Sequence, residues 1–115
     1  MYTHDIDYVI RTLGVGATYR GYRYLSYGIE LCLTDEEYLL AISKQLYPEI
    51  ARKYKTTVGS VERDIRTVIR VCWENGYDQL QPYSFRPLHV RPTAGEFFDI
   101  LVAYLSRNKS VLQAV

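Results

Sequence analysis

The chain is poor in the residues that anchor the commonest non-hydrophobic architectures. Among 115 residues it has two cysteines, two histidines, one tryptophan and one methionine. Cys32 and Cys72 sit among apolar neighbours, with no Cys-x-x-Cys pair and no histidine cluster beside them. A disulfide scaffold and a zinc site are therefore not expected, and both thiols read as reduced core groups. His4 and His89 stand alone, so no metal ligand is assigned. No apolar run approaches the ~20 residues of a membrane span. The start MYTHDIDY carries acids where a secretory signal would carry a basic and then an apolar stretch. A cytoplasmic, nucleoid-associated location is the expectation that goes with this. Net charge is only +1, so the molecule is no polycation, and any nucleic-acid role must rest on where the charge sits. There is no paired-carboxylate signature, no nucleophile beside a histidine and no glycine-rich phosphate loop. An enzyme is not expected, nor is a cofactor; Gly14-Val-Gly16 reads as a helix stop.

What is abundant is aliphatic spacing and tyrosine. Hydrophobic residues make up 48% of the chain and charged residues 23%, and this length suits one domain spanning 1–115. The pattern is helical nearly throughout. Ile6, Val9, Ile10 and Leu13 predict a helix over about 5–13, capped by Asp5. Residues 19–33 predict a second, with Leu25, Ile29, Leu31, Cys32 and Leu33 inward. The acids Asp35, Glu36 and Glu37 suit the first turn of a third, which runs to Leu46. Pro48 fits the first turn of a short helix at about 47–54. Thr57 caps a helix at about 58–74, closed by Asn75-Gly76. The prolines at 82, 87 and 92 make 77–92 a loop with at most a short helical turn. Thr93-Ala-Gly-Glu96 is a capping box for a last helix over about 93–107. The expected fold is all-α, six helices with no strand. Of the twelve tyrosines, Tyr19, Tyr22, Tyr24 and Tyr27 interleave with arginines. Such rings can stack on bases, although half-buried rings with a wet hydroxyl are the commoner case.

The segment 47–74 carries most of the information. Ile50, small Ala51, Tyr54, a threonine cap, then Val61 and Ile65 four apart is the arrangement of a helix-turn-helix. On a helical wheel Val58, Val61, Ile65, Val68, Ile69 and Cys72 share one side, and Arg63, Arg66 and Arg70 fall opposite, within roughly 60° of one another. Six of the fourteen basic residues lie between 52 and 70. A solvated arginine face is the ordinary explanation of such a helix taken alone. As the second helix of a helix-turn-helix, however, this face is the one that enters a DNA major groove. Arginine can donate a bidentate pair to guanine, and glutamate can accept from cytosine. Ser60, Glu62, Arg63, Arg66 and Thr67 are the candidate base contacts. Arg52, Lys53, Lys55, Thr56, Thr57, Gly59 and Arg70 are the candidate phosphate contacts.

Four stretches, GYRYLSYGIE (21–30), LYPEIARKYKTT (46–57), SVERDIRTVIRVCW (60–73) and RPTAGEFF (91–98), lie in order along nearly the whole chain. In them the protein resembles the C-terminal effector domain of the stage 0 sporulation protein A family of response regulators. The resemblance implies a six-helix domain that regulates transcription. It would bind double-stranded DNA at a TGTCGAA-type box, often in tandem, as a head-to-tail homodimer, with an RNA polymerase sigma subunit as a further partner. It also implies base and phosphate contacts for the VERxIR stretch, here Glu62, Arg63 and Arg66. Two departures follow from the comparison. Family members carry an arginine just before this stretch, where Ser60 stands, which predicts a relaxed or altered box. And no alternating strand-helix pattern is present to hold a receiver's phosphoacceptor aspartate. A protein-interaction module that kept the fold and lost specific DNA binding is the alternative reading.

Overall fold

A computed structural model describes the backbone of residues 2–114 and the side chains of 5–75 and 78–107. Helices α1 (Tyr2–Thr12), α2 (Arg20–Thr34), α3 (Tyr47–Tyr54), α4 (Val58–Leu80) and α5 (Ala94–Ala114) are joined by an irregular helical segment between α2 and α3 and a 3-10 turn, Gln81–Tyr83. Among the described residues there is no strand, so the architecture is all-α. The core is apolar: Ile6 and Ile10 of α1, Leu25 and Ile29 of α2, Ile50 of α3, Ile65 of α4 and Phe97, Phe98 and Leu101 of α5 are fully buried. Each such side chain contributes roughly 1.5–3 kcal/mol by leaving water. Helix α2 runs through the middle, touching α1, α3, α4 and α5. At Gly28 a Cβ would lie 2.8 Å from the Phe98 ring and 3.1 Å from Ile50 Cδ1. The missing side chain therefore lets α3 and α5 close on α2 from two sides.

The boundaries differ from those expected at several points, each for a physical reason. Helix α1 starts at Tyr2, so Asp5 lies inside its first turn and does not cap it. The regular third helix expected up to Leu46 is absent. Asp35 accepts a hydrogen bond from the Glu37 N–H (3.0 Å) and opens a 3-10 turn, Glu36–Leu40. The chain leaves helical geometry at Ala41 (φ −146, ψ 62) and then forms a π turn, Ile42–Leu46. The cause is Pro48. It has no N–H for the Lys44 carbonyl and its ring crowds that group. Widening the preceding turn relieves this: the Leu46 N–H bonds the Ala41 carbonyl at 3.1 Å, and α3 then runs from Tyr47 to Tyr54 with Pro48 in its first turn, as expected. Helix α4 does not stop at Asn75-Gly76 but runs to Leu80. Leu80 is fully buried, and that burial outweighs the ~1 kcal/mol a helical glycine costs. The loop that follows is stapled by Gln81, whose Oε1 accepts from the Leu88 N–H (2.8 Å) and whose Nε2 donates to the Arg86 carbonyl (2.9 Å). The capping box forms as expected: the Glu96 N–H donates to Thr93 Oγ1 (3.2 Å) and the Thr93 N–H to Glu96 Oε1 (2.9 Å). From it α5 continues seven residues past the expected end at 107.

Cys32 and Cys72 are buried and unpaired. Burial pushes both thiols up to about 12, with the Asp35 charge adding to the effect at Cys32. Both are therefore protonated near neutral pH and weak as nucleophiles. In a labelling experiment at pH 8, neither is expected to react with a thiol disulfide reagent until denaturant unfolds the chain. Rapid modification of the native protein would contradict this burial.

Candidate nucleic-acid interface

The candidate interface is built on α3, a three-residue turn and the first four turns of α4. Ala51 is buried against the core, as are Val61 and Ile65, so the two helices meet on small and branched side chains. The turn closes as a Schellman motif: the Thr56 N–H donates to the Ala51 carbonyl (3.0 Å) and the Lys55 N–H to the Arg52 carbonyl (3.4 Å). The left-handed residue in it is Lys55, at φ 54 and ψ 49. Glycine occupies this position in most such turns, because a Cβ costs roughly 1–2 kcal/mol there. A lysine in a strained conformation at the tip of a turn is consistent with function opposing stability. Lys55→Gly is expected to raise the unfolding free energy by about 0.5–1 kcal/mol, the strain relieved less the added chain entropy of glycine, while weakening DNA binding. A thermal melt and a binding isotherm on the same sample check both signs.

The Thr57 cap then starts α4. Its Oγ1 accepts from the Ser60 N–H (3.0 Å), and its hydroxyl donates to Ser60 Oγ (3.0 Å). With its oxygen engaged in this way, Ser60 keeps its own proton free to donate. Beyond it the wheel expected from the spacing is present, apart from Val58, which is 38% exposed and stands outside the core. Arg63, Arg66 and Arg70 point outward, their side chains 64%, 66% and 49% exposed. Each lies near a carboxylate: Arg66 with Glu62 at 3.1 Å, Arg63 with Asp64 at 3.7 Å, Arg70 with Glu74 at 3.4 Å. Arg52 is likewise bonded to Glu49. Lys53 sits over the rings of Tyr27 and Tyr54, 4.9 and 5.7 Å from their centroids. Exposed pairs of this kind are worth about 0–1 kcal/mol. They hold the guanidinium groups in place yet yield readily to a stronger anion. Thr67 is half-buried, its hydroxyl donating to the Arg63 carbonyl at 3.1 Å.

The two flanks of this face differ. Glu62 and Arg66 line a groove of about 380 Å³ whose far wall is Arg91, Pro92, Thr93 and Ala94, the approach to α5, with Tyr47 and Ile69 beside them. Tyr47 is buried, and its phenol is pushed up to about 12, first by burial and then by the Glu62 charge, with Arg66 opposing. It stays protonated and uncharged beside this pair. Arg91 is exposed and was not among the residues expected from the sequence to meet DNA. Its signal was weak: one basic residue in a proline-rich loop, ahead of a capping box. Only the fold brings it alongside Glu62 and Arg66. On the other flank Asp64 leads round to the buried side of α4, where its carbonyl and Val68 press on the first turn of α2 at Gly21. Among the described residues no cluster of three histidine, cysteine, aspartate or glutamate side chains could hold a metal ion. No described helix is long and apolar enough to cross a membrane.

Compared with known families, the chain matches the family described as sporulation initiation factor Spo0A, C terminal, over residues 6–105.

Proposed function

Since the chain belongs to the family of C-terminal effector domains of the sporulation initiation factor, a DNA-binding regulatory family and not an enzyme family, we propose that it is a sequence-specific transcription regulator that reads a variant of the TGTCGAA-type box with α4. The observation that carries this reading is the outward arginine face of α4, set at the end of a closed helix-turn-helix and capped so that its first turn is free to enter a major groove. Arg63 and Arg66 are the proposed guanine readers, and Glu62 accepts from a cytosine amino group. Thr67 borders them. Lys55, Thr56, Thr57 and Gly59 at the turn, with Arg52, Lys53 and Arg70, meet phosphates. Arg91 joins them from across the groove. In this reading the chain binds tandem boxes as a homodimer and acts beside a polymerase sigma subunit.

Ser60 sets the expected difference from the family box. A hydroxyl with a free proton bonds any base edge that offers an acceptor, whereas arginine prefers the two acceptors of guanine. Selection of bound duplexes from a random pool tests the proposal. The expected product is a consensus related to TGTCGAA with one degraded position. A pool that returns no consensus would leave only salt-dependent, sequence-blind binding. A pool that retains no duplex at all would favour a protein-interaction module on the same fold.

A further inference from the structure

The arginines of α3 and α4 all pair with carboxylates, but among the described residues two others near them form no ion pair. Arg20 and Arg23 are exposed on the first turns of α2. The ion pairs formed among the described residues involve Arg11, Arg52, Arg63, Arg66 and Arg70, and neither of these two. No acid lies in the first turn of α2, so both positive charges sit at the positive end of a helix dipole, an arrangement unfavourable in the free protein. They do not project into empty space. With Ala17, Thr18, Tyr19, Tyr24 and Tyr54 they line a notch of about 350 Å³.

The notch adjoins the helix-turn-helix on two sides. A Cβ on Gly21, between the two arginines, would lie 2.4 Å from the Asp64 carbonyl oxygen and 2.4 Å from Val68 Cγ2. The backbone of α2 therefore rests on α4 one turn beyond Ser60. The notch wall is also the end of α3: Tyr24 and Tyr54 pack with ring centroids 5.4 Å apart, and Tyr54 is the last residue before Lys55. Through Tyr54 the notch therefore lies beside the end of α3, directly before the turn whose Lys55, Thr56 and Thr57 are proposed to meet phosphates.

We infer that Arg20 and Arg23, with Thr18 and Tyr19, form a phosphate-gripping notch for the sugar-phosphate backbone of the DNA that flanks the groove read by α4. The inference rests on the DNA-binding reading above and extends it to an element outside the helix-turn-helix. A grip of this kind positions the protein and adds affinity but carries no base information.

The test is fluorescence anisotropy of wild type and the Arg20→Ala/Arg23→Ala variant, on duplexes with and without a tandem box, between about 50 and 200 mM salt. Both side chains are exposed, so circular dichroism should be unchanged. The expected result is weaker binding to both duplexes by the same factor, with the box preference intact. The slope of log K against log salt should fall by about 2, so the wild-type advantage shrinks roughly tenfold across that salt range. Equal affinity and equal slope for the two proteins would overturn the inference. So would a loss confined to the box duplex, which would make the pair base readers. An Arg63→Ala/Arg66→Ala variant separates the two readings. If it loses box preference while the Arg20/Arg23 variant behaves as wild type, the helix-turn-helix reading stands and the notch falls.

Discussion

Gly21→Ala should destabilise this domain by roughly 1–3 kcal/mol, the usual cost of forcing an extra methyl into a packed interior. The sign is the informative part. In an open helix, glycine to alanine is worth about 0.5–1 kcal/mol of stabilisation, because glycine loses more chain entropy on folding. At Gly21 the added carbon would stand 2.4 Å from a backbone oxygen of α4. A backbone cannot swing aside as a side-chain end can, so α2 and α4 must separate. A kcal/mol is worth several degrees of melting temperature in a domain of this size. Gly59→Ala is the control. It also replaces a helical glycine, but its nearest neighbour is Thr57 Oγ1 at 4.0 Å, and it should be neutral or mildly stabilising. Thermal denaturation followed by circular dichroism decides: equal melting temperatures for the two variants would mean that α2 does not press on α4. Because α4 carries the arginine face, the Gly21 variant should also bind DNA less well at temperatures where it is still folded.

The largest effect on binding is expected from replacing Arg63 and Arg66 together with alanine. A base-reading arginine contributes roughly 1–3 kcal/mol of discrimination. The pair should therefore weaken binding to the preferred box by about thirtyfold or more while binding to unrelated duplex falls far less. Stability should hardly move. The pairs that are lost, Arg66 with Glu62 and Arg63 with Asp64, are exposed on the arginine side, and such pairs contribute about 0–1 kcal/mol. The variant should keep its helicity and its melting temperature to within a few degrees. If both proteins bound the box equally, α4 would not be the reading element.

Much of this arrangement was legible in the sequence because it is written in local periodicity. The arginine stripe of α4, the buried Val61 and Ile65 and the Thr57 and Thr93 caps depend on residues within a few positions of one another. What was not legible depends on distant partners. Leu80 extends α4 past Asn75-Gly76 because of core that other helices supply. Pro48 opens α3 as its position suggested, but the 3-10 and π turns that replace a regular helix ahead of it were not visible. Gly21 looks like any helical glycine until α4 is laid across it. Arg91, Arg20 and Arg23 are scattered single charges in the sequence, and the fold sets Arg91 in the groove beside Glu62 and Arg66 and the other two in a notch with Tyr54 at the end of α3. Lys55 was visible as a charge but not as a strained residue, because nothing local announces its left-handed conformation.

Recognition of a DNA sequence through α4 can be measured on the wild-type protein alone. The most direct measurement is the anisotropy of the wild-type protein with two labelled duplexes of equal length, one carrying tandem TGTCGAA-type boxes and one the same bases scrambled, titrated from about 50 to 200 mM salt. The expected result is a steep loss of affinity with salt on both duplexes, from phosphate neutralisation, and a preference for the box that persists across the range. Binding that is the same for the two duplexes at every salt concentration, or no binding to either at the lowest, would contradict it.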